Sequence, residues 1–245
     1  MKKPDERETP LSSIPPYIHA SRPPGLHAST PPYLHTSTHL SPAPYLKIRE
    51  VKPETNFSRL SAAEKNEFEK LKTPKRRDEW LASRLAAKEL ISEALGGTPD
   101  GIEVFSDADR KPLARAGGKE FYISLSHRDA LCACAINRAL TPLIGVDVEK
   151  IEKRSEAWKK DFFTAGEYGA CAGSEEKFTE TWTLKEAALK MLGLGLSVDA
   201  REAEIAGERV KFAGRALERY EKLGSPAIRW KSVRKENYII SVLWA

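Results

Sequence analysis

WTLKEAALKMLGLGL, Trp182 to Leu196, is the stretch on which the rest of the chain turns. It opens with good helix formers, Ala187, Ala188, Leu189, Met191 and Leu192. It stops on a doubled glycine, Gly193 and Gly195, the mark of a left-handed C-terminal cap. Inside the helix Lys185 and Glu186 stand side by side, and Lys190 lies one turn beyond the glutamate. As an exposed i,i+4 pair, Glu186 and Lys190 contribute only about 0.2–0.5 kcal/mol. Any larger meaning has to come from what other segments bring to them.

The first such segment is an internal repeat. LSAAE (Leu60 to Glu64) precedes WLASRLAAKEL (Trp80 to Leu90), as FTAGE (Phe163 to Glu167) precedes WTLKEAALKML (Trp182 to Leu192). Ser61 with Glu64, and Thr164 with Glu167, match capping boxes and so open helices. Counted from each Trp, Arg84 and Lys88 fall where Glu186 and Lys190 fall. Each half closes on a strand-like run, Ala130 to Ile136 and Asn237 to Trp244. The expected fold is α+β: two similar lobes, 45–142 and 143–245, related by a pseudo-two-fold axis, with a ligand cleft between them. Arg84 on one wall and Glu186 on the other suit a phosphorylated ligand bound with a metal.

Just before the second half, LIGVDVE (Leu143 to Glu149) alternates as a half-buried strand does. Ile144, Val146 and Val148 share one face; Gly145, Asp147 and Glu149 share the other. A solvated strand face has this pattern too. Yet two carboxylates on one face repel unless a cation lies between them, and Gly145 leaves space beside them. With Glu186 as a third carboxylate, they make a Mg²⁺ or Mn²⁺ site with positions open for phosphate and water. Lys185 and Lys190 would flank a phosphoryl group. Upstream, Ser126 and His127 point to opposite faces of any strand and so make a poor nucleophile–base pair. With Lys111 they offer the donors that a phosphate needs.

Composition sets the frame. The chain of 245 residues is 40% hydrophobic and 31% charged, as soluble globular proteins are. No apolar run approaches the roughly 18 residues of a bilayer span, and the N-terminus has no apolar signal core. Cys132, Cys134 and Cys171 are too few and odd for a disulfide framework, which suits a reducing cytoplasm. The net charge of +5 favours an acidic partner. Residues 1–44 read as a separate tail, because the first 46 residues hold ten of the 16 prolines and four of the five histidines. PPYIHAS, PPGLHAS and PPYLHTS recur from Pro15, Pro23 and Pro31, a composition expected to stay disordered or extended. Single histidines on so flexible a segment (His19, His27, His35) make poor metal sites.

Taken together, KPL (Lys111 to Leu113), ISLSH (Ile123 to His127), GVDVE (Gly145 to Glu149) and WTLKEAALKMLGLGL resemble the 4'-phosphopantetheinyl transferases, specifically their two-lobed Sfp-type branch. The resemblance runs from about Leu60 to the C-terminus, with four motifs in order. Arg110 stands where many members have glycine, and Ser124 where some have asparagine. The resemblance implies that a serine of an apo acyl, peptidyl or aryl carrier protein attacks the β-phosphate of coenzyme A. It further implies that Asp147, Glu149 and Glu186 hold the metal, that Glu186 helps activate the serine, and that Lys190 stabilises the pyrophosphate. Lys111 and Lys185 would then lie along the coenzyme, Ser126 and His127 would reach its 3'-phosphate, and Arg84 would face the nucleotide. Duplication within one chain favours a monomer. Two rivals remain. A metal-dependent nuclease would place Glu and Lys two apart on one strand and carry a nucleic-acid motif, and neither is present. A carrier-protein or coenzyme A binding module without catalysis would not need the acidic set with Lys190.

Overall fold

The computed structural model describes residues 42–53 and 57–245. The proline- and histidine-rich repeats, and the three histidines weighed there as metal ligands, lie outside the described residues. The first half runs β1 (Tyr45–Glu50), α1 (Ala62–Glu69), α2 (Pro74–Leu95), β2 (Glu103–Ser106), β3 (Pro112–Ala116), β4 (Lys119–Tyr122), β5 (Ser124–Arg128) and β6 (Leu131–Ile136). The second runs β7 (Ile144–Lys150), α3 (Glu156–Phe162), α4 (Ala165–Cys171), α5 (Glu175–Met191), β8 (Ala203–Ala206), β9 (Arg209–Phe212), α6 (Gly214–Lys222), β10 (Arg229–Lys235) and β11 (Tyr238–Trp244).

The two halves repeat one topology. Their main sheets are ordered β1-β6-β5 and β7-β11-β10, so each first strand pairs antiparallel with the last strand of its own half. A long helix packs on each sheet, α2 on the first and α5 on the second. This is the α+β duplication that the motif order predicts. Both capping boxes form, at Ser61 with Glu64 and at Thr164 with Glu167.

The halves share a core. Leu131, Ala133 and Ala135 of β6 join Ile144, Val146 and Val148 of β7 and the inward residues of β11 in one apolar cluster. The opposite face of β6 sends the free, buried Cys132 and Cys134 into the cluster under α2. Between the sheets, side chains replace a main-chain ladder. The Val146 N–H donates to Ser124 Oγ (2.9 Å) and the Val148 N–H to Ser126 Oγ (3.3 Å). The solvated-face reading of β7 is thereby excluded, since both its faces are covered and Asp147 is only 4% exposed.

Helix α5 covers the carboxylate face, and Gly145 lets it come close. A Cβ at Gly145 would lie 1.9 Å from the Ala187 carbonyl oxygen and 2.8 Å from the Met191 nitrogen. The space expected beside the carboxylates is therefore filled by helix backbone rather than left for a ligand. Backbone cannot rotate aside as a side chain can, so Gly145→Ala is expected to destabilise the fold by about 3 kcal/mol or more, at the upper end for overpacking. Urea unfolding measures this, and a midpoint close to that of the parent would contradict it.

The repeat also fixes helix register, differently from the sequence match. Glu64 caps α1, accepts the Val104 N–H (3.1 Å) and pairs with Lys88 (2.9 Å), which also bonds the Ile102 carbonyl. Glu167 caps α4, accepts the Ile205 N–H (2.8 Å) and pairs with Lys185 (2.7 Å), which also donates to the Ala203 carbonyl (2.7 Å). The counterpart of Lys88 is thus Lys185 and not Lys190. It follows that Glu186 corresponds to Glu89, not to Arg84. The match counted from the two tryptophans fails because it sets α2 against α5 about one turn out of step.

Candidate active site

Helix α5 is held at both ends. Ser174 caps its start, accepting the Lys177 N–H at 3.2 Å. At its end the Gly193 N–H donates to the Lys190 carbonyl and the Leu194 N–H to the Leu189 carbonyl, both at 2.9 Å, with Gly193 at φ +75°. This is the left-handed cap that the doubled glycine predicts. It turns the chain at Lys190 and sends Leu194, Leu196 and Ser197 along the rim of a cleft of about 780 Å³. Among the residues lining that cleft are Lys111, Ser126, His127, Asp147, Glu149, Glu186 and Lys190.

The carboxylates differ in their company. Asp147 Oδ1 accepts from Lys190 Nζ (2.6 Å) and Ser126 Oγ (2.8 Å), while its Oδ2 is buried with no partner. Glu186 Oε1 is likewise buried and unpartnered. Burial, together with the neighbouring Asp147, pushes the Glu186 carboxyl up to about 7, against the opposing pull of Lys190. Glu149 Oε2 accepts from Arg154 Nη2 (3.0 Å) and lies 3.5 Å from Arg128 Nε. Burial still raises its pKa, with Asp147 the next cause.

Among the described residues, no three such groups converge to hold a metal ion as they stand. Asp147, Glu149 and Glu186 all line the cleft, with Lys190 paired to Asp147 and the two arginines to Glu149. A divalent cation nevertheless fits the donor set. The two orphaned oxygens, Asp147 Oδ2 and Glu186 Oε1, are hard donors of the kind such ions take.

Lys185 and Arg84 do not line the cleft. Lys185 is fully buried and bonded to Glu167, so it lies off the cleft; its place beside Glu186 in sequence puts it on another face of α5. Ser126 lines the cleft, its hydroxyl donating to Asp147 and accepting the Val148 N–H. Arg84 stacks on Trp80, 4.2 Å from the ring centroid, and does not line the cleft; Arg76, two turns earlier on α2, does.

His127 stays at the cleft, its Nδ1 3.5 Å from Glu79 Oε2. Burial holds its pKa below the usual value, which Glu79 partly offsets. Lys111 donates to the Pro142 carbonyl (2.9 Å), and burial brings its pKa down to about 8. Arg110, on the same rim, has φ +64°, a left-handed conformation that glycine adopts without strain. The guanidiniums of Arg128 and Arg154 around Glu149 belong to no sequence motif and had no signal beyond their charge.

The model of the 4'-phosphopantetheinyl transferase superfamily matches residues 143–243, and that of the 4'-phosphopantetheinyl transferase N-terminal domain matches residues 64–137. A holo-[acyl-carrier-protein] synthase of Geobacillus kaustophilus is 37% identical over 97 residues, 36% of this chain and 74% of that protein. The chain belongs to the 4'-phosphopantetheinyl transferase superfamily. The 4'-phosphopantetheinyl transferase HetI of Nostoc sp. is 32% identical over 142 residues, a match spanning 54% of this chain and 59% of the Nostoc protein's length. A Helicobacter pylori holo-[acyl-carrier-protein] synthase, solved in complex with coenzyme A, aligns over 41% of this chain and 97% of its own, at 18% identity and a TM-score of 0.36. For a superfamily member of this size, the two family matches meet between 137 and 143, where the buried Asn137 side chain donates to the Leu143 and Ala245 carbonyls. Among the described residues no helix is long and apolar enough to cross a membrane.

Proposed function

We propose that this chain transfers the 4'-phosphopantetheine arm of coenzyme A to a serine of an apo carrier protein. The supporting observation is the pairing, in one cleft, of two buried unpartnered carboxylate oxygens with the Lys190 ammonium. The serine Oγ attacks the β-phosphorus, the bond from that phosphorus to the bridging pyrophosphate oxygen breaks, and adenosine 3',5'-bisphosphate leaves. Asp147 and Glu186 would hold Mg²⁺ or Mn²⁺, with Glu149 as the third carboxylate within the cleft. Such an ion supplies Lewis-acid charge for the pyrophosphate oxygens.

The chain's own residues do the rest. Glu186, whose Oε1 lies in the site without a partner, would take the serine proton. Lys190 lies against Asp147 and offers its ammonium to the charge that develops on the leaving group. Lys111 would run along the coenzyme, and His127 with Arg76 would meet its 3'-phosphate. The basic chain would recruit an acidic carrier partly by charge. Incubating the protein with apo carrier protein and labelled coenzyme A tests the reading directly, with nuclease activity measured in parallel. Label that stays off the carrier would leave only a binding module.

His127→Ala is expected to weaken coenzyme A more than dephospho-coenzyme A, by about 1.5–3 kcal/mol for a well-formed charge-assisted contact. The sign of the pH dependence follows. Burial disfavours the His127 imidazolium in the free protein, and a phosphate beside it favours that form. Binding then takes up a proton, so the preference for coenzyme A over dephospho-coenzyme A should grow as pH falls from 8 to 6. Equal losses for the two ligands, at every pH, would return His127 to a purely structural role.

A further inference from the structure

Arg110 stands where the backbone favours a glycine. β2 and β3 form a hairpin whose last pair is Ser106 with Pro112. In its loop the Arg110 N–H donates to the Asp107 carbonyl and the Asp107 N–H to the Lys111 carbonyl, both at 3.0 Å. A tight turn followed by one left-handed residue commonly closes such a hairpin. Arg110 is that left-handed residue, at φ +64°. A Cβ makes the conformation costly, least so for asparagine and aspartate and not at all for glycine. Among the described residues five that are not glycine have positive φ, and Arg110 is the one of them that lines the cleft. Its side chain gains nothing from its neighbours. Among the described residues its guanidinium has no hydrogen-bond, ion-pair or ring partner. Asp109 lines the same rim, and no ion pair joins the two. Lys111 is turned inward, bonded to the Pro142 carbonyl with its ammonium 4.6 Å from the Tyr122 ring centroid. An exposed cation is thus held at the cleft in a conformation that its own backbone disfavours. Strain kept at such a place points to a ligand contact.

We infer that Arg110 is a specificity residue of this chain, whose guanidinium adds a contact to the 3'-phosphate of coenzyme A that a glycine there would not make. The inference rests on the transfer reading above. Chemistry selects the group. The pyrophosphate falls to Lys190 and the carboxylates of the second half. The 3'-phosphate falls to the first-half wall, where Arg110 joins Arg76 and His127 around the cleft. A planar guanidinium donates two parallel hydrogen bonds to one phosphate, and it keeps its charge at any working pH. Glycine at this turn keeps the hairpin without strain and lacks the contact. Arginine makes the contact and bears the strain. Stability and discrimination therefore move in opposite directions at this one position, which a merely solvated side chain or a merely structural one would not do.

The experiment is calorimetric titration of the full-length chain with coenzyme A and with dephospho-coenzyme A, alongside urea unfolding. Arg110→Gly should bind coenzyme A about 10-fold more weakly, the loss of one charge-assisted contact. It should bind dephospho-coenzyme A nearly as well as the parent does. Its unfolding midpoint should be no lower than the parent's, because glycine adopts the turn without strain. Arg110→Asn tolerates the same left-handed turn and lacks the charge, so it should lose the same affinity. Unchanged coenzyme A affinity in both variants would overturn the inference and leave Arg110 a solvated side chain. Equal losses for the two ligands would overturn it as well, by moving the contact off the 3'-phosphate. So would a loss confined to one variant, or a lowered midpoint in Arg110→Gly, each of which would trace the effect to the shape of the turn. A parent chain that binds neither ligand would overturn the transfer reading itself, and the role of Arg110 with it.

Discussion

Glu186→Gln is expected to fold like the parent chain and to transfer the phosphopantetheine arm about 10²–10⁴-fold more slowly, the range for lost acid–base help. The substitution keeps size and helix propensity, and it removes the charge of a carboxylate whose Oε1 has no partner to lose. Were Glu186 only the helix partner of Lys190, the change would cost a few tenths of a kcal/mol and leave the rate alone. The structure argues against that partnership, because Lys190 Nζ is 2.6 Å from Asp147. Removing a buried charge that already repels Asp147 could even raise stability slightly. The measurement is the transfer rate of folded Glu186→Gln across a magnesium titration. Partial recovery at high magnesium would mark weakened metal binding as the main defect. A near-normal rate throughout would remove Glu186 from the chemistry.

Lys185→Met should behave in the opposite way, with a large loss of stability and little change at the coenzyme. Its ammonium is buried between Glu167 and the Ala203 carbonyl, and burial pulls its pKa down while Glu167 holds it up. Removing it leaves the Glu167 carboxylate buried among its two N–H donors without a counter-charge, which costs about 3–5 kcal/mol. Lys88→Met should cost a similar amount, because Glu64 has the same surroundings. Chemical unfolding gives the stability loss, and KM for coenzyme A in the folded protein gives the contrast. A raised KM with unchanged stability would put Lys185 on the coenzyme after all.

Helix, caps and strand alternation were legible in the sequence because they are local. Ser61 with Glu64, Thr164 with Glu167, and Gly193 after Leu192 act within one turn of chain, and each forms as its spacing predicts. The carboxylates of β7 and the Glu186–Lys190 pair could be singled out for the same reason: residue type and spacing are enough to name candidates. Their motif order was enough to place the chain in its family.

Which candidate meets which partner was not local. Lys185 and Lys190 look alike in sequence, and only the packing of α5 sends one to Glu167 and the other to Asp147. Gly145 reads as open space until the Ala187 carbonyl is found against it. The register between the halves, misjudged from two tryptophans, is set by glutamates that cap one helix while pairing with a lysine on another. The amino-acid sequence by itself determined the elements, the duplication and the set of chemical groups, since these follow from backbone propensity and periodicity over a few residues. The tertiary structure alone decided which of those groups are neutralised by neighbours and which are left with charge to share, because that balance depends on burial and on contacts between residues far apart in the chain.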